Sequence, residues 1–244
     1  MQKAHKNLSG ITKEFSRFAH SYGKYNVIQS KVVSELILMI ERKKIETLLD
    51  VGCGSGAVFQ ALKREGYQID RFLALDASKE MLQRHPNTET VEKVCMDFNS
   101  PSELQLPKES VIVSSSALQW SRDLAKTLSW LSSLGEEAYF AIFTANTFKT
   151  LHHTAGIASP IYSAQKLKEI LDRYYDAEYT LREYVLSFDS TREIFRYIKK
   201  SGVSGGVRQL SYKETKMLMN RYPLSYLEFE VLFVKGHPKT PVQR

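Results

Sequence analysis

Leu48-Leu49-Asp50-Val51-Gly52-Cys53-Gly54-Ser55-Gly56 is an apolar run that passes through a carboxylate and ends in a glycine-rich turn. A second carboxylate, Asp76, closes the next apolar run twenty residues after Gly56. Glycines let a backbone turn tightly and approach a ligand closely at low steric cost. An acidic side chain at that distance along a strand–turn–helix unit can hold the two hydroxyls of a ribose. Gly52, Gly54, Gly56, Asp76 and the adjoining Ala77 therefore predict a pocket for an adenosine-containing cofactor.

The glycines alone do not choose which one. Gly52, Gly54 and Ala57 also fit G-x-G-x-x-G/A, the dinucleotide fingerprint. Asp50 leans the other way: a carboxylate two residues before the turn sits poorly beside a pyrophosphate. It suits the ammonium group of S-adenosylmethionine. Met81 is expected to pack on the adenine face. Cys53 reads as packing inside the turn and not as a catalytic thiol.

The elements that must position these residues follow from periodicity. Apolar residues recur at three- and four-residue spacing through 8–44, which predicts helix there. Strands are expected at Thr47–Val51, Phe72–Leu75, Val91–Met96, Val111–Ser114 and Ala138–Thr144. Helices are expected at Ala57–Arg64, Lys79–Arg84 (stopped by His85-Pro86) and Leu118–Leu134. Alternating strands and helices imply an α/β fold with a doubly wound parallel sheet, whose ligands bind beyond the strands' carboxyl ends. Asn146–Ser159 has no convincing period and reads as a loop carrying His152-His153, with no metal site. Beyond it, helices are expected at Ser163–Tyr174, Thr191–Lys199 and Tyr212–Tyr222, and extended chain at Tyr179–Phe188 and Phe229–Val234. Gly202–Gly206 reads as a flexible connection. The expected organisation is one domain: a helical segment over 1–44, a cofactor-binding core over 45–145, and cap helices with the last strands over 146–244.

Composition agrees with a soluble enzyme. At 244 residues and 43% hydrophobic the chain can bury one substantial core. No apolar run approaches the roughly 18 residues of a membrane span. The first residues lack an apolar h-region, and the two cysteines suggest no disulfide framework. A cytoplasmic location and a monomer are expected. The net charge of +7 is uneven: residues 1–30 carry +4 and 161–244 carry +5, while 31–110 carry −2. Such a field favours an acidic partner.

The turn D-x-G-C-G-S-G resembles motif I of class I S-adenosylmethionine-dependent methyltransferases, and Ala74–Leu82 resembles their second motif. Asp97-Phe98 stands where their adenine-binding pair is found. A narrower resemblance runs from residue 15 to 234 and is to the malonyl-acyl-carrier-protein O-methyltransferases of biotin synthesis, the BioC family. Phe15-Ser16-Arg17-Phe18-Ala19-His20-Ser21-Tyr22 is similar to their F-x-R-x-A-x-x-Y opening. Ser114-Ser115-Ser116-Ala117-Leu118-Gln119-Trp120 is similar to S-N-x-A-x-Q-W, with Ser115 in place of the frequent Asn. Tyr222-Pro223-Leu224-Ser225-Tyr226 is similar to Y-P-L-T-Y.

The resemblance implies a Rossmann-like methyltransferase sheet with N-terminal helices and a helical cap, and S-adenosylmethionine as cofactor. It implies methyl transfer to the carboxylate of malonyl-acyl carrier protein, whose ester then enters fatty-acid elongation toward pimeloyl. Such a carboxylate is ionised at neutral pH, so no general base is needed, and catalysis rests on positioning and desolvation. Tyr22 and Ser115 are the expected catalytic rim. Asp50, Gly52, Gly54, Gly56, Asp76, Ala77, Met81, Asp97, Phe98 and Ser114 are expected at the cofactor, and Arg17, Tyr25, Gln119 and Trp120 at the substrate. The acidic carrier suits the positive ends of the chain, with Lys166, Lys168, Lys199, Lys200, Arg208, Lys213 and Lys216 as candidate docking residues. Three other readings stay open: a methyltransferase of a free small acid, one acting on nucleic acid, and a binding module without turnover. Neither a nucleic acid nor a membrane is the expected partner.

Overall fold

Seven strands form one sheet in the computed structural model, which describes residues 26–200 and 211–239. In chain order they are β1 (Lys44–Val51), β2 (Gln68–Asp76), β3 (Val91–Cys95), β4 (Val111–Ser115), β5 (Glu137–Phe143), β6 (Tyr175–Ser187) and β7 (Tyr226–Pro238). Their spatial order is β3-β2-β1-β4-β5-β7-β6. The first five run parallel, in register Leu48↔Phe72 between β1 and β2 and Leu49↔Ile112 between β1 and β4. The parallel part expected from the alternating strands is therefore β1–β5, and β7 runs antiparallel to both β5 and β6.

Side-chain alternation along the strands divides the core in two. On β1, Leu48 joins one apolar cluster and Leu49 and Val51 the other; on β5, Tyr139, Ala141 and Phe143 face the first and Phe140 and Ile142 the second. Helices α1 (Val27–Leu38) and α2 (Ala57–Arg64) cover the first face, and the short α3 (Lys79–Arg84) inserts Leu82 there. Helices α4 (Leu124–Leu131) and α6 (Ala164–Leu171) cover the second. Between them in sequence, α5 (Lys149–Ala155) follows β5. Helices α7 (Thr191–Lys200) and α8 (Tyr212–Arg221) occupy the β6–β7 connection and put Ile194, Tyr197 and Leu218 into the first face.

Several expectations shift. The first helix ends at Leu38, and β1 begins at Lys44, because Ile45 is already buried while Lys44 and Glu46 point outward. The helix expected over Leu118–Leu134 is broken. A 3-10 turn, Leu118–Trp120, comes first, and Asp123 then caps α4 by accepting the Lys126 N–H at 3.1 Å. His152-His153 lies on α5 and not in a loop. That helix starts behind Phe148, whose N–H donates to the Glu228 carbonyl at 2.8 Å. Gly202–Gly206 and the opening motif at 15–22 lie outside the described residues. No helix among the described residues is long and apolar enough to cross a membrane.

Candidate functional site

β1 delivers Asp50 to the sheet's carboxyl edge, and the chain must turn at once to clear β4. The Gly52 and Cys53 N–H groups both donate to the Leu75 carbonyl, at 2.8 and 3.0 Å, which ties the turn to β2. Gly52 takes φ +73°, and a Cβ there would lie 2.4 Å from the Ala117 Cβ. Only glycine fits that approach. The turn, the ends of β2 and β4 and the first turns of α1 enclose a cavity of about 1080 Å3 measured out to its mouth.

Most of the residues expected at the cofactor line this one cavity: Asp50, Gly52, Gly54, Asp76, Ala77, Met81, Asp97 and Phe98. Asp76 is fixed by the turn itself. Its Oδ2 accepts the Gly54 N–H at 2.9 Å and its Oδ1 the Ser78 N–H at 2.8 Å. Burial nevertheless holds its carboxyl above the usual range. Asp97 is braced from the other side: Asn99 donates its N–H and its Nδ2 to Oδ1, each at 2.9 Å, and Arg122 pairs with Oδ2 at 2.9 Å.

Asp50 differs from both. Its side chain is 0% exposed, and neither carboxylate oxygen has a hydrogen-bond partner among the described residues. Burial first, and the neighbouring Asp76 second, push its pKa well above the carboxylate range. Four more buried, unpartnered polar atoms line the same cavity: Asn26 Oδ1, Gln29 Oε1, Ser115 Oγ and Ser116 Oγ. Natural cores rarely leave such groups unsatisfied, so their convergence marks a ligand-binding surface. The carboxylate and amide oxygens among them are acceptors, which suits a ligand with a cationic, donor-rich end.

Ser115 and Trp120 line the cavity as the sequence suggests, and three residues stand elsewhere. Ser114 points to the opposite face of the sheet and donates its Oγ to the Val51 carbonyl at 2.8 Å, so it stitches β4 to β1. Gly56 lies behind the turn, where a Cβ would meet Pro86 at 2.6 Å; its left-handed φ of +90° starts α2. Gln119 is buried and donates its Nε2 to the Ser116 carbonyl at 2.7 Å. It thereby braces Ser116, a serine held at φ +61°, a conformation uncommon for side chains other than glycine. Arg17, Tyr22 and Tyr25 lie outside the described residues.

Sequence reasoning missed the wall that α1 supplies: Asn26, Gln29, Ser30 and Val33. The signal was present, since Asn26, Gln29 and Ser30 are polar residues at helical spacing at the head of α1. Cys53 is buried against the cavity, and burial pushes its thiol pKa up, away from a reactive thiolate.

Comparison with known proteins agrees with this geometry. A family model described as a methyltransferase domain matches residues 25–202. The malonyl-[acyl-carrier protein] O-methyltransferase of Acinetobacter baylyi is 25% identical over 233 residues, covering 92% of this chain and 90% of its own. The protein of the same name from Brevibacillus brevis is 24% identical over 267 residues, covering 93% and 95%. Among solved structures, phosphoethanolamine N-methyltransferase 2 of Haemonchus contortus, in complex with S-adenosyl-L-methionine, superposes with a TM-score of 0.56 at 14% identity. That match covers 92% of this chain and 57% of the other.

Proposed function

Because this chain belongs to the methyltransferase-domain family, we propose that it transfers a methyl group from S-adenosylmethionine to the free carboxylate of malonyl-acyl carrier protein. The observation that carries the reading is Asp50: a fully buried carboxylate with both oxygens free, at the floor of a cavity built by a glycine turn. A buried carboxyl group of that kind ionises only beside a cationic partner, which the ammonium of the cofactor's amino-acid end would supply. The names of the relatives support the choice of acceptor.

The residues divide the work. Asp76, held in place by the Gly54 and Ser78 N–H groups, is the acceptor for the ribose hydroxyls. Met81 and Phe98 would hold the adenine, together with Asn99 and the Arg122-braced Asp97. S-adenosylmethionine, when bound, carries its transferable methyl group on a sulfonium. The acceptor carboxylate is already ionised at neutral pH, with an unperturbed pKa of about 4, so the chain need supply no base. Ser115 and Ser116 present neutral hydroxyls that steady one acceptor oxygen without quenching the other, as a bidentate guanidinium would. Trp120 and Ala117 close the wall against water. Esterification removes a charge that an apolar elongation channel would reject, which fits a role in making the pimeloyl chain of biotin.

Incubation with methyl-labelled cofactor and malonyl-acyl carrier protein should yield a base-labile ester, and this chain should restore growth to a biotin-requiring strain lacking that activity. Labelling of free malonate in preference to the carrier-linked form would move the assignment to a small-acid methyltransferase.

A further inference from the structure

β6 runs in the direction of β5, and β7 runs against both, with Ser187 paired to Tyr226. The β6–β7 connection therefore leaves from the carboxyl edge of the sheet, the edge where Asp50, Asp76 and Ser115 line the cavity. α7 and α8 lie in that connection. They are locked to the sheet by Tyr197 against Phe229, with ring centroids 6.3 Å apart, and to each other by Phe195 against Tyr222, at 6.5 Å. With these apolar sides turned inward, their outer faces are basic. Arg192, Arg196 and Lys199 fall at i, i+4 and i+7 along α7, and Lys213 and Lys216 at i and i+3 on α8, with Arg221 at its end. All six are exposed, and no ion pair joins any of them to a described residue. Of the two acidic residues on these helices, Glu214 is committed to the Ser211 capping box.

We propose that this basic α7–α8 face is the docking surface for an acidic protein, the acyl carrier that presents the acceptor carboxylate to the cavity. The inference rests on the proposed function and adds to it the place where the carrier sits. Charge complementarity selects the partner. Tyr212, 76% exposed, and Met217, 50% exposed, stand among the cations and add the aromatic and thioether contacts typical of protein interfaces. Of the other candidate cations, Arg208 and the Lys200 side chain lie outside the described residues, and two stand elsewhere. Lys166 and Lys168 lie on α6 across the sheet, where Lys166 pairs with Glu169 at 2.9 Å and Lys168 rests 5.3 Å from the centre of the Tyr179 ring.

The test is steady-state methylation of malonyl-acyl carrier protein and of malonyl-coenzyme A by the full chain, by an R192E/R196E/K199E variant and by K213E/K216E. The expected result is a KM for the carrier-linked substrate raised about tenfold or more in each variant, with kcat and the coenzyme A reaction within twofold of wild type. In about 1 M salt, where the Debye length is about 3 Å, variant and wild type should converge on the carrier-linked substrate. Equal KM values for wild type and variants on the carrier would overturn the docking surface and leave the proposed function standing. No methylation of the carrier-linked substrate by wild type would overturn both. So would a short RNA that binds wild type tightly, loses its affinity in the variants and displaces the carrier.

Discussion

Asp50 and Glu230 are almost equally hidden, at 0% and 5% exposure, and their surroundings answer them in opposite ways. Around Glu230, where β5 meets β7, the Thr144 hydroxyl and Asn146 Nδ2 donate to one carboxylate oxygen and Asn146 Nδ2 reaches the other at 3.0 Å. Thr147 donates its Oγ1 to the Glu230 carbonyl at 3.1 Å, and Thr150 donates its hydroxyl to neighbouring Glu228 at 2.7 Å. These bonds clip residues 144–150 onto β7. Around Asp50, where β1 meets the turn, no described residue donates to either oxygen. A buried carboxylate completed by its own chain holds structure together; one left incomplete is completed by a ligand. The same sheet does both within a few strands of its carboxyl edge.

Removing the completed carboxylate should give the larger effect on stability. Glu230→Ala strands the donors of Thr144 and Asn146, and should cost about 2–4 kcal/mol in chemical denaturation. Cofactor affinity of the folded protein should stay within about twofold. A large affinity loss with little change in stability would mean that Glu230 also faces a ligand, and the contrast would collapse.

Asp50→Asn should do the reverse. Cofactor binding should weaken by about 1.5–3 kcal/mol, the range for hydrogen bonds to charged groups, or about 10- to 150-fold. The ligand-free protein should become more stable. The sign follows from the raised pKa of Asp50. The folded state binds this proton more tightly than the unfolded state does, so ionising Asp50 destabilises the fold as pH rises above the ordinary carboxylate pKa. Melting temperatures of wild type and variant should match in acid and separate toward neutral pH, the variant being higher. Binding of a cationic ligand should also release a proton from wild type at pH values below that raised pKa. Calorimetry in buffers of different ionisation enthalpy should detect this release, and should find none in the Asn variant.

How much of this contrast the sequence disclosed depends on the range of the interaction. The Asp50–Gly56 turn, Asp76 and the helix limits at Ala57–Arg64 and Lys79–Arg84 are local matters of spacing and caps, and they stand as read. The antiparallel β7 is not local, because its direction is set by pairing with β5 residues that lie far away in sequence, Phe143 with Val231 and Ala138 with Gly236. Glu230 was invisible for the same reason: its donors Thr144 and Asn146 lie 86 and 84 residues away. Gln119 was expected at the substrate from the motif it shares with Trp120, yet the irregular Leu118–Trp120 turn sends Trp120 to the cavity and the Gln119 Nε2 to the Ser116 carbonyl. Ser114, expected at the cofactor from the same motif, spends its hydroxyl on the Val51 carbonyl. Adjacent residues on β4 face opposite sides, so Ser114 and Ser115 could not both line one cavity.

That pair offers the smallest and most discriminating test. Ser114→Ala removes a buried hydrogen bond to the Val51 carbonyl and should cost about 0.5–1.5 kcal/mol of stability. Cofactor affinity and kcat should be untouched, since the hydroxyl never faces the cavity. Ser115→Ala removes a buried hydroxyl that has no partner among the described residues, so stability should hold or rise slightly. Its effect should fall on turnover instead, where the lost donor would otherwise have steadied the acceptor oxygen, with kcat reduced and cofactor affinity little changed. Two serines one residue apart would then divide as the two carboxylates do, one supporting the sheet and the other the chemistry. Equal stability losses without a change in kcat would place Ser115 on the structural side and leave the acceptor pocket to be sought elsewhere along the cavity wall.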